Sequence, residues 1–224
     1  MISIIIPALN EEEYIGACIA AIKKNGDSCE IIVADGGSSD RTAEIAERQE
    51  GVKVVKTGRG RGLQMNAGAS HATGEILLFL HADTILEDGW SKAVEAAMQN
   101  ASIMGGAFTF AIPHPGKKYR LVEQWVGFRC SLFKLPYGDQ GIFVRRDIFK
   151  KLEGCKNIPL MEDVDLIERV KRLGKIVILD KKAFTSERRW LKEGLLRTAS
   201  LNQMIMFLYR MGISPHKLAK IYYR

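Results

Sequence analysis

The chain has 224 residues, 46% hydrophobic and 26% charged, and no apolar run of membrane-spanning length. This suits a folded core and excludes a disordered chain or a helical membrane protein. Its 33 Lys and Arg against 26 acids give a net charge of +7, which favours anionic partners without choosing among nucleotides, phosphorylated substrates, nucleic acid or an anionic membrane.

The N-terminal MISIIIPALNEEE enters a strand-like run at once. It lacks the basic start and small-residue cleavage site of a secretory leader, so a cytoplasmic protein is expected. SIIIP (3–7) reads as a strand, and residues 11–24 as a helix with Tyr14, Ile15, Cys18, Ile19 and Ile22 on one face. CEIIVAD (29–35) is a strand, residues 40–49 a helix with Asp40 as its cap, and VKVVK (52–56) a strand. Residues 62–72 read as a helix weakened by Gly68, and EILLFL (75–80) as a fourth strand. Repeated β-α-β with near-continuous apolar strands predicts an α/β fold: a mostly parallel sheet with helices on both faces.

Further along, helices are expected at 90–100, 119–133 and 161–174, and strands at 102–112, 141–146 and 175–180. The 161–174 helix should bury Val164, Ile167, Val170 and Leu173. A last mixed-face helix is expected over roughly 190–212. No linker or repeat interrupts the chain, so one domain over 1–190 with a helical segment over 191–224 packed on it is the simplest account. Cys18, Cys29, Cys130 and Cys155 have neither metal nor redox spacing and read as reduced thiols.

Ligands of parallel sheets bind beyond the carboxyl ends of the strands. Here those loops carry Pro7 to Glu11, Asp35 to Asp40, Thr57 to Arg61, and His81-Ala82-Asp83. A Walker loop is absent. The first strand–helix turn, PALNEEE, lacks the glycines of a dinucleotide fingerprint. What remains is an acidic edge. Asp35 suits a nucleobase or ribose, Asp83 a hard divalent cation, and Arg59 and Arg61 a diphosphate. Each also has a plain structural role as turn, cap or mobile loop residue.

The ordered set SIIIPALNEE, IIVADGGSSDRT, GRGRGLQMNAGASHATGEILLFLHADT and MEDVDLIERVKRLG resembles the family-2 glycosyltransferases of the GT-A fold. The wording of HADT, YGDQGIFVRRDIF and PLMEDVDL resembles a small bacterial subgroup associated by name with arsenosugar biosynthesis. The resemblance implies an inverting transfer of sugar from a nucleotide-diphosphate sugar to an unidentified hydroxyl acceptor. It implies that Pro7, Leu9, Asn10 and Glu11 begin the nucleotide pocket. Asp35, with Ser38 and Asp40, would meet the base or ribose, and Arg61 the diphosphate. Asp83 takes the metal position of the family's Asp-x-Asp, whose first aspartate is replaced by His81. That histidine is read as a ligand, a ribose contact or an orienter of Asp83. The metal would be Mn²⁺ or Mg²⁺, and an imidazole suits the former better.

Asp163 would be the base, with Glu162 beside it. Both residues also suit the first turn of a helix, where acids merely complement its dipole. SERRW (186–190) resembles the Q-x-x-R-W of processive relatives but has Ser186 for the glutamine. Arg188 and Arg189 would contact diphosphate, and Trp190 would either stack on an acceptor sugar or serve as a structural residue. Asp139 and Gln140 sit where a sugar is read or a turn is formed. No nucleic-acid module is found. The apolar, basic tail is open to burial, a homodimer face or peripheral contact with a membrane. A non-catalytic nucleotide-sugar binder and a nucleotidyltransferase are the competing readings.

Overall fold

The computed structural model describes residues 1–25 and 29–223, so Arg224 of the expected tail lies outside the described residues. In chain order the elements are β1 (Ile2–Ala8), α1 (Ile15–Asn25), β2 (Glu30–Asp35), α2 (Thr42–Glu47), β3 (Val52–Lys56), α3 (Arg61–Ser70), β4 (Ile76–Phe79) and β5 (Thr84–Leu86). Then come α4 (Trp90–Met98), β6 (Ile103–Ala111), α5 (Lys117–Phe133), β7 (Ile142–Arg145), α6 (Arg146–Lys151) and α7 (Glu162–Lys171). The chain closes with β8 (Lys175–Thr185), α8 (Arg188–Glu193), α9 (Leu195–Arg210) and α10 (Pro215–Tyr222).

The strands form one sheet in the order β3-β2-β1-β4-β7-β6-β8-β5. β1 to β4 are parallel, as the β-α-β pattern predicts, with Ile5 opposite Ile32 on one side and Phe79 on the other. β7 runs antiparallel to both β4 and β6, while β6 and β8 are parallel. Alternate residues of β1 serve opposite faces. Ile4 and Ile6 pack with Ile15 and Ile19 of α1 and Trp90 and Val94 of α4. Ile5 packs with Met65 and Ala69 of α3 and with Val164, Ile167 and Val170 of α7. Burial on both faces explains an unbroken Ile run, each side chain contributing about 1.5–3 kcal/mol. Gly68 fits the same layer, since a Cβ there would collide with Cγ2 of Ile5. Its helix-weakening glycine is a close helix–strand contact.

Three expectations need correction. Leu173 is exposed and lies past the end of α7, which buries Leu166 in addition to the other three. The last strand does not stop at 180 but continues to Thr185, where it pairs antiparallel with the three-residue β5. The single helix expected over roughly 190–212 is two helices, and a third lies beyond it. Gly194, at φ 85°, separates α8 from α9, and α10 follows Ser214 and Pro215. Met206 of α9 joins the α3–α7 core, and Leu218 of α10 packs with Ile205 and Leu160. No disulfide links Cys18, Cys130 or Cys155. Burial pushes the Cys18 thiol up to about 12, with Asp83 adding to the effect, so it is inert as a thiolate. Among the described residues no helix is long and apolar enough to cross a membrane.

Candidate active site

The carboxyl ends of β1 and β2 are fastened by Gln64, whose Nε2 donates to the carbonyls of Ala8 and Ala34 at 2.7 and 3.0 Å. Gly36 leaves room for this amide: a Cβ there would sit 2.9 Å from Nε2. The loops that follow are stitched together. Ser38 Oγ accepts from the Asn10 amide, Asn10 Oδ1 from the Ser39 amide, and Asp40 Oδ2 from the Glu12 amide. Asn10 takes a left-handed φ of 56°, which asparagine tolerates better than most residues. Asp40 Oδ1 also accepts from the Thr42 amide, but Arg41, not the expected Asp40, takes the N-cap position of α2. Asp35 is buried, its carboxylate accepting from the amides of Gly37 and Ser38.

Beyond these loops lies a cavity of about 270 Å³. Pro7, Glu11, Arg61, His81, Asp83, Asp139, Asp163, Arg188, Arg189 and Trp190 all line it. Leu9, Asn10, Asp35, Ser38, Asp40 and Arg59 do not, and lie in the neighbouring loops. Arg59 is exposed. Two sequence-predicted residues hold the wall from behind. Glu162, 2% exposed, pairs with Arg61 at 3.2 Å. Burial raises its pKa against the pull of Arg61. Gln140 spends its amide on the protein: Nε2 donates to the Phe108 carbonyl, and Oε1 accepts from the Tyr137 amide and the Cys130 thiol. It therefore shapes the turn, is buried, and does not line the cavity.

Asp163 opens α7 after Met161, which adopts a left-handed φ of 69°. Its Oδ2 accepts from the Gly138 amide at 2.6 Å and its Oδ1 from the Val164 amide at 2.8 Å. These two bonds fix the plane of the carboxylate. Gly138 is also where His81 arrives. A Cβ at that position would lie 3.0 Å from His81 Nε2 and 3.1 Å from Asp163 Oδ2. Burial lowers the His81 pKa to about 3, with Arg61 and Arg188 adding to the effect. The imidazole is therefore neutral over the working range and offers a lone pair.

Asp83 is reached through the sheet's far edge. Thr84 pairs with Thr185, and the Ser186 amide donates to the Asp83 carbonyl. This pairing carries Arg188 onto the acidic ledge. The guanidinium forks onto Glu11 at 2.7 and 2.8 Å, reaches Asp83 at 3.1 Å and lies 4.6 Å from the Tyr14 ring centroid. Two carboxylates thus share one cation. Burial raises the Asp83 pKa, Arg188 opposes this and Glu11 adds to it. Trp190 is both wall and core, packing against Phe110 with ring centroids 6.4 Å apart.

Sequence reasoning missed Arg129 and Tyr137. The buried guanidinium of Arg129 stacks 3.5 Å from the Tyr137 ring centroid, and both Arg129 Nε and the Tyr137 hydroxyl are buried without a hydrogen-bond partner among the described residues. The readable signal was an arginine on the core-facing stripe Tyr119-Val122-Val126-Arg129-Cys130, where a charge is rare unless it serves a site. Arg129 faces Asp139. Burial raises the Asp139 pKa to about 6; Arg129 opposes the shift, while Asp163 and Asp83 add to it.

A raised carboxyl pKa means that ionisation opposes folding. The cost is absent below about pH 4, grows as pH rises, and is complete above about pH 6. Replacing Asp139 with Asn removes it. The stability of this variant relative to wild type should therefore increase by up to about 3 kcal/mol between pH 4 and pH 7.5. Solvent reaching the carboxylate in the cavity reduces that figure. Urea unfolding at the two pH values measures it, and a difference independent of pH would contradict it.

The sheet order, the parallel β1–β4 half and the acidic cavity at its carboxyl edge define a GT-A-type α/β protein. The model of glycosyl transferase family 2 matches residues 3–152, and the chain belongs to that family. It is 29% identical over 197 residues to the probable glycosyltransferase YdaM of Bacillus subtilis, covering 77% of this chain and 47% of that protein. It is 39% identical over 160 residues to a PGL/p-HBAD biosynthesis glycosyltransferase of Mycobacterium bovis, covering 66% of this chain and 60% of that one. The chain thus spans about half to three fifths of the length of these relatives. Among solved structures it is similar to TarS of S. aureus in complex with UDP-GlcNAc, with TM-score 0.64, 18% identity, and coverage of 83% and 58%. It is also similar to glucosyl-3-phosphoglycerate synthase of Mycobacterium tuberculosis with Mn²⁺ and UDP, with TM-score 0.59, 20% identity, and coverage of 83% and 71%.

Proposed function

We propose that the chain transfers a sugar, with inversion, from a nucleotide-diphosphate sugar to a hydroxyl acceptor. The observation that carries this reading is the convergence of Asp163, His81, Asp83, Asp139, Arg61 and Arg188 on one cavity at the carboxyl edge of the sheet. Asp163 is the base. Its carboxylate is held by two amides, and a remaining lone pair accepts the acceptor's proton. As that proton leaves, the acceptor oxygen forms a bond to the anomeric carbon on the face opposite the diphosphate. The bond from that carbon to the diphosphate oxygen breaks, and one displacement inverts the centre. Arg61 and Arg188 line the cavity as the fixed positive charges that balance the departing diphosphate.

The base and ribose of the donor lie along the ledge formed by Pro7, Leu9, Asn10, Asp35, Ser38 and Asp40. The loops there are already tied to one another and need little ordering on binding. Among the described residues no three His, Cys, Asp or Glu side chains form a ready-made metal cluster. The acidic ledge still fits a divalent ion, because Asp83 and Glu11 share one guanidinium and neutral His81 supplies a nitrogen donor. Asp83 would hold the ion with His81 as second donor, and diphosphate oxygens and water would complete the shell. Such an ion neutralises diphosphate charge. Calorimetric titration with a panel of UDP- and GDP-sugars, with and without Mn²⁺, tests the reading. One donor should bind tightly in Mn²⁺ and turn over when acceptors are supplied. Failure of the whole panel to bind would sink it.

A further inference from the structure

A second cleft adjoins the first. It measures about 910 Å³, lies among α8, α9 and α10, and shares Arg61, Arg189 and Tyr222 with the first cavity. Its other charged residues are Lys192, Arg197 and Glu193. The charges are unequal in kind. Arg61 is matched by Glu162, and Arg189 by Glu193 at 3.4 Å. Lys192 and Arg197 are exposed and pair with no carboxylate among the described residues. The same cleft is lined by Leu201, Met204 and Ile221, the last two 43% and 39% exposed.

The wall is not a loose tail. Leu218 anchors α10 on Ile205, and Arg189 stacks on the Tyr222 ring while bonding its hydroxyl. Burial raises the Tyr222 pKa, so the ring stays neutral beneath the guanidinium. Charge along the chain tells the same story. Of the 33 basic and 26 acidic residues, 8 and 1 respectively lie from Arg188 onward, leaving 25 of each before it. The whole net charge of +7 therefore resides in the segment that builds this cleft.

We propose that the second cleft binds the sugar acceptor, and that this acceptor is an anionic amphiphile. Its phosphate-type group sits between Lys192 and Arg197, and its apolar part lies along Leu201, Met204 and Ile221. The proposal rests on the transferase reading of the first cavity. The shared wall of Arg61, Arg189 and Tyr222 lets one molecule place its anion in the second cleft and its hydroxyl toward Asp163. The unpaired cations explain why the site should be selective for an anion, and the apolar wall why a fully hydrated one would use only half of it.

The test is calorimetry with octyl phosphate below its micelle concentration, inorganic phosphate, and octyl glucoside as the neutral control. UDP is held at saturation so that the donor site does not contribute. Wild type is compared with the double variant K192E/R197E, whose two exposed positions line neither the first cavity nor the core. Octyl phosphate should bind wild type and lose at least tenfold in the variant, while octyl glucoside binding is unchanged and the variant binds the donor as wild type does. Tighter binding of octyl phosphate than of phosphate marks an amphiphile, as proposed. Equal binding of the two, lost together in the variant, keeps the anion site and overturns the apolar half. Octyl phosphate affinity that ignores the charge reversal overturns the proposal. Charge-dependent octyl phosphate binding with no donor bound anywhere sinks the transferase reading and leaves an anion site without an acceptor role.

Discussion

Asp163→Asn should abolish turnover almost completely while leaving donor binding intact. The expected fall in kcat is roughly 10³-fold, the size that a positioned general base supplies. Asn matches Asp in shape but cannot take a proton. The substitution carries a second, smaller cost. Both carboxylate oxygens now accept backbone amides, from Gly138 at 2.6 Å and from Val164 at 2.8 Å. Asn must turn its NH₂ toward one of them, so one amide loses its acceptor. That should destabilise the protein by about 1–3 kcal/mol. The loss of kcat and the loss of stability are separable, because thermal melting reads one and single-turnover kinetics the other. Glu162→Gln is the informative neighbour. Glu162 is buried behind Arg61 and does not line the cavity. Its removal should loosen Arg61 and weaken donor binding, with a smaller effect on the chemical step. A kcat for Asp163→Asn within threefold of wild type would remove Asp163 from the base's role.

The parts of this molecule that were legible in the sequence share a physical cause. β1 to β4 are buried on both faces, so their composition announces them, and the loops after them are short enough that motif order is spatial order. The family motifs placed Asp83 and Asp163 in one cavity on the same ground. What the sequence hid depends on pairings between distant residues. β5 is three residues long, too short to show a period, and it pairs with the end of β8 about a hundred positions later. That pairing alone carries Arg188 onto Asp83 and Glu11, so its reading as a diphosphate contact missed the acidic ledge. Gln140 looked available because its polarity is visible in sequence, while its three partners are not. The break at Gly194 was readable in principle, since a glycine inside an apolar helix is a signal. The helical spacing on either side masked it.

Asp83→Ala should remove the metal dependence of donor binding. On the ledge Arg188 now balances one of two carboxylates, and burial raises the pKa of Asp83, with Glu11 adding to the effect. A divalent ion balances the other carboxylate, and a nucleotide diphosphate brings the ligands that complete its shell. Without Asp83 the guanidinium keeps Glu11 to itself, the ledge becomes electrically neutral, and the ion loses its anchor. Donor affinity in Mn²⁺ should then fall roughly 100-fold, close to 2.8 kcal/mol. In chelator the variant should bind donor no more weakly than wild type, because the ion is absent from both and the variant's ledge carries one negative charge fewer. The wild-type Mn²⁺ effect should also fade as pH is lowered, since protons compete for a carboxyl whose pKa lies above its usual value. The sign is fixed by the direction of the shift: a raised pKa moves this loss toward neutrality, and a lowered one would move it away. If Asp83→Ala bound donor as tightly as wild type in Mn²⁺, the ion would have no seat at Asp83. Arg61 and Arg188 would then carry the diphosphate alone, and His81 would mark a site that works without metal.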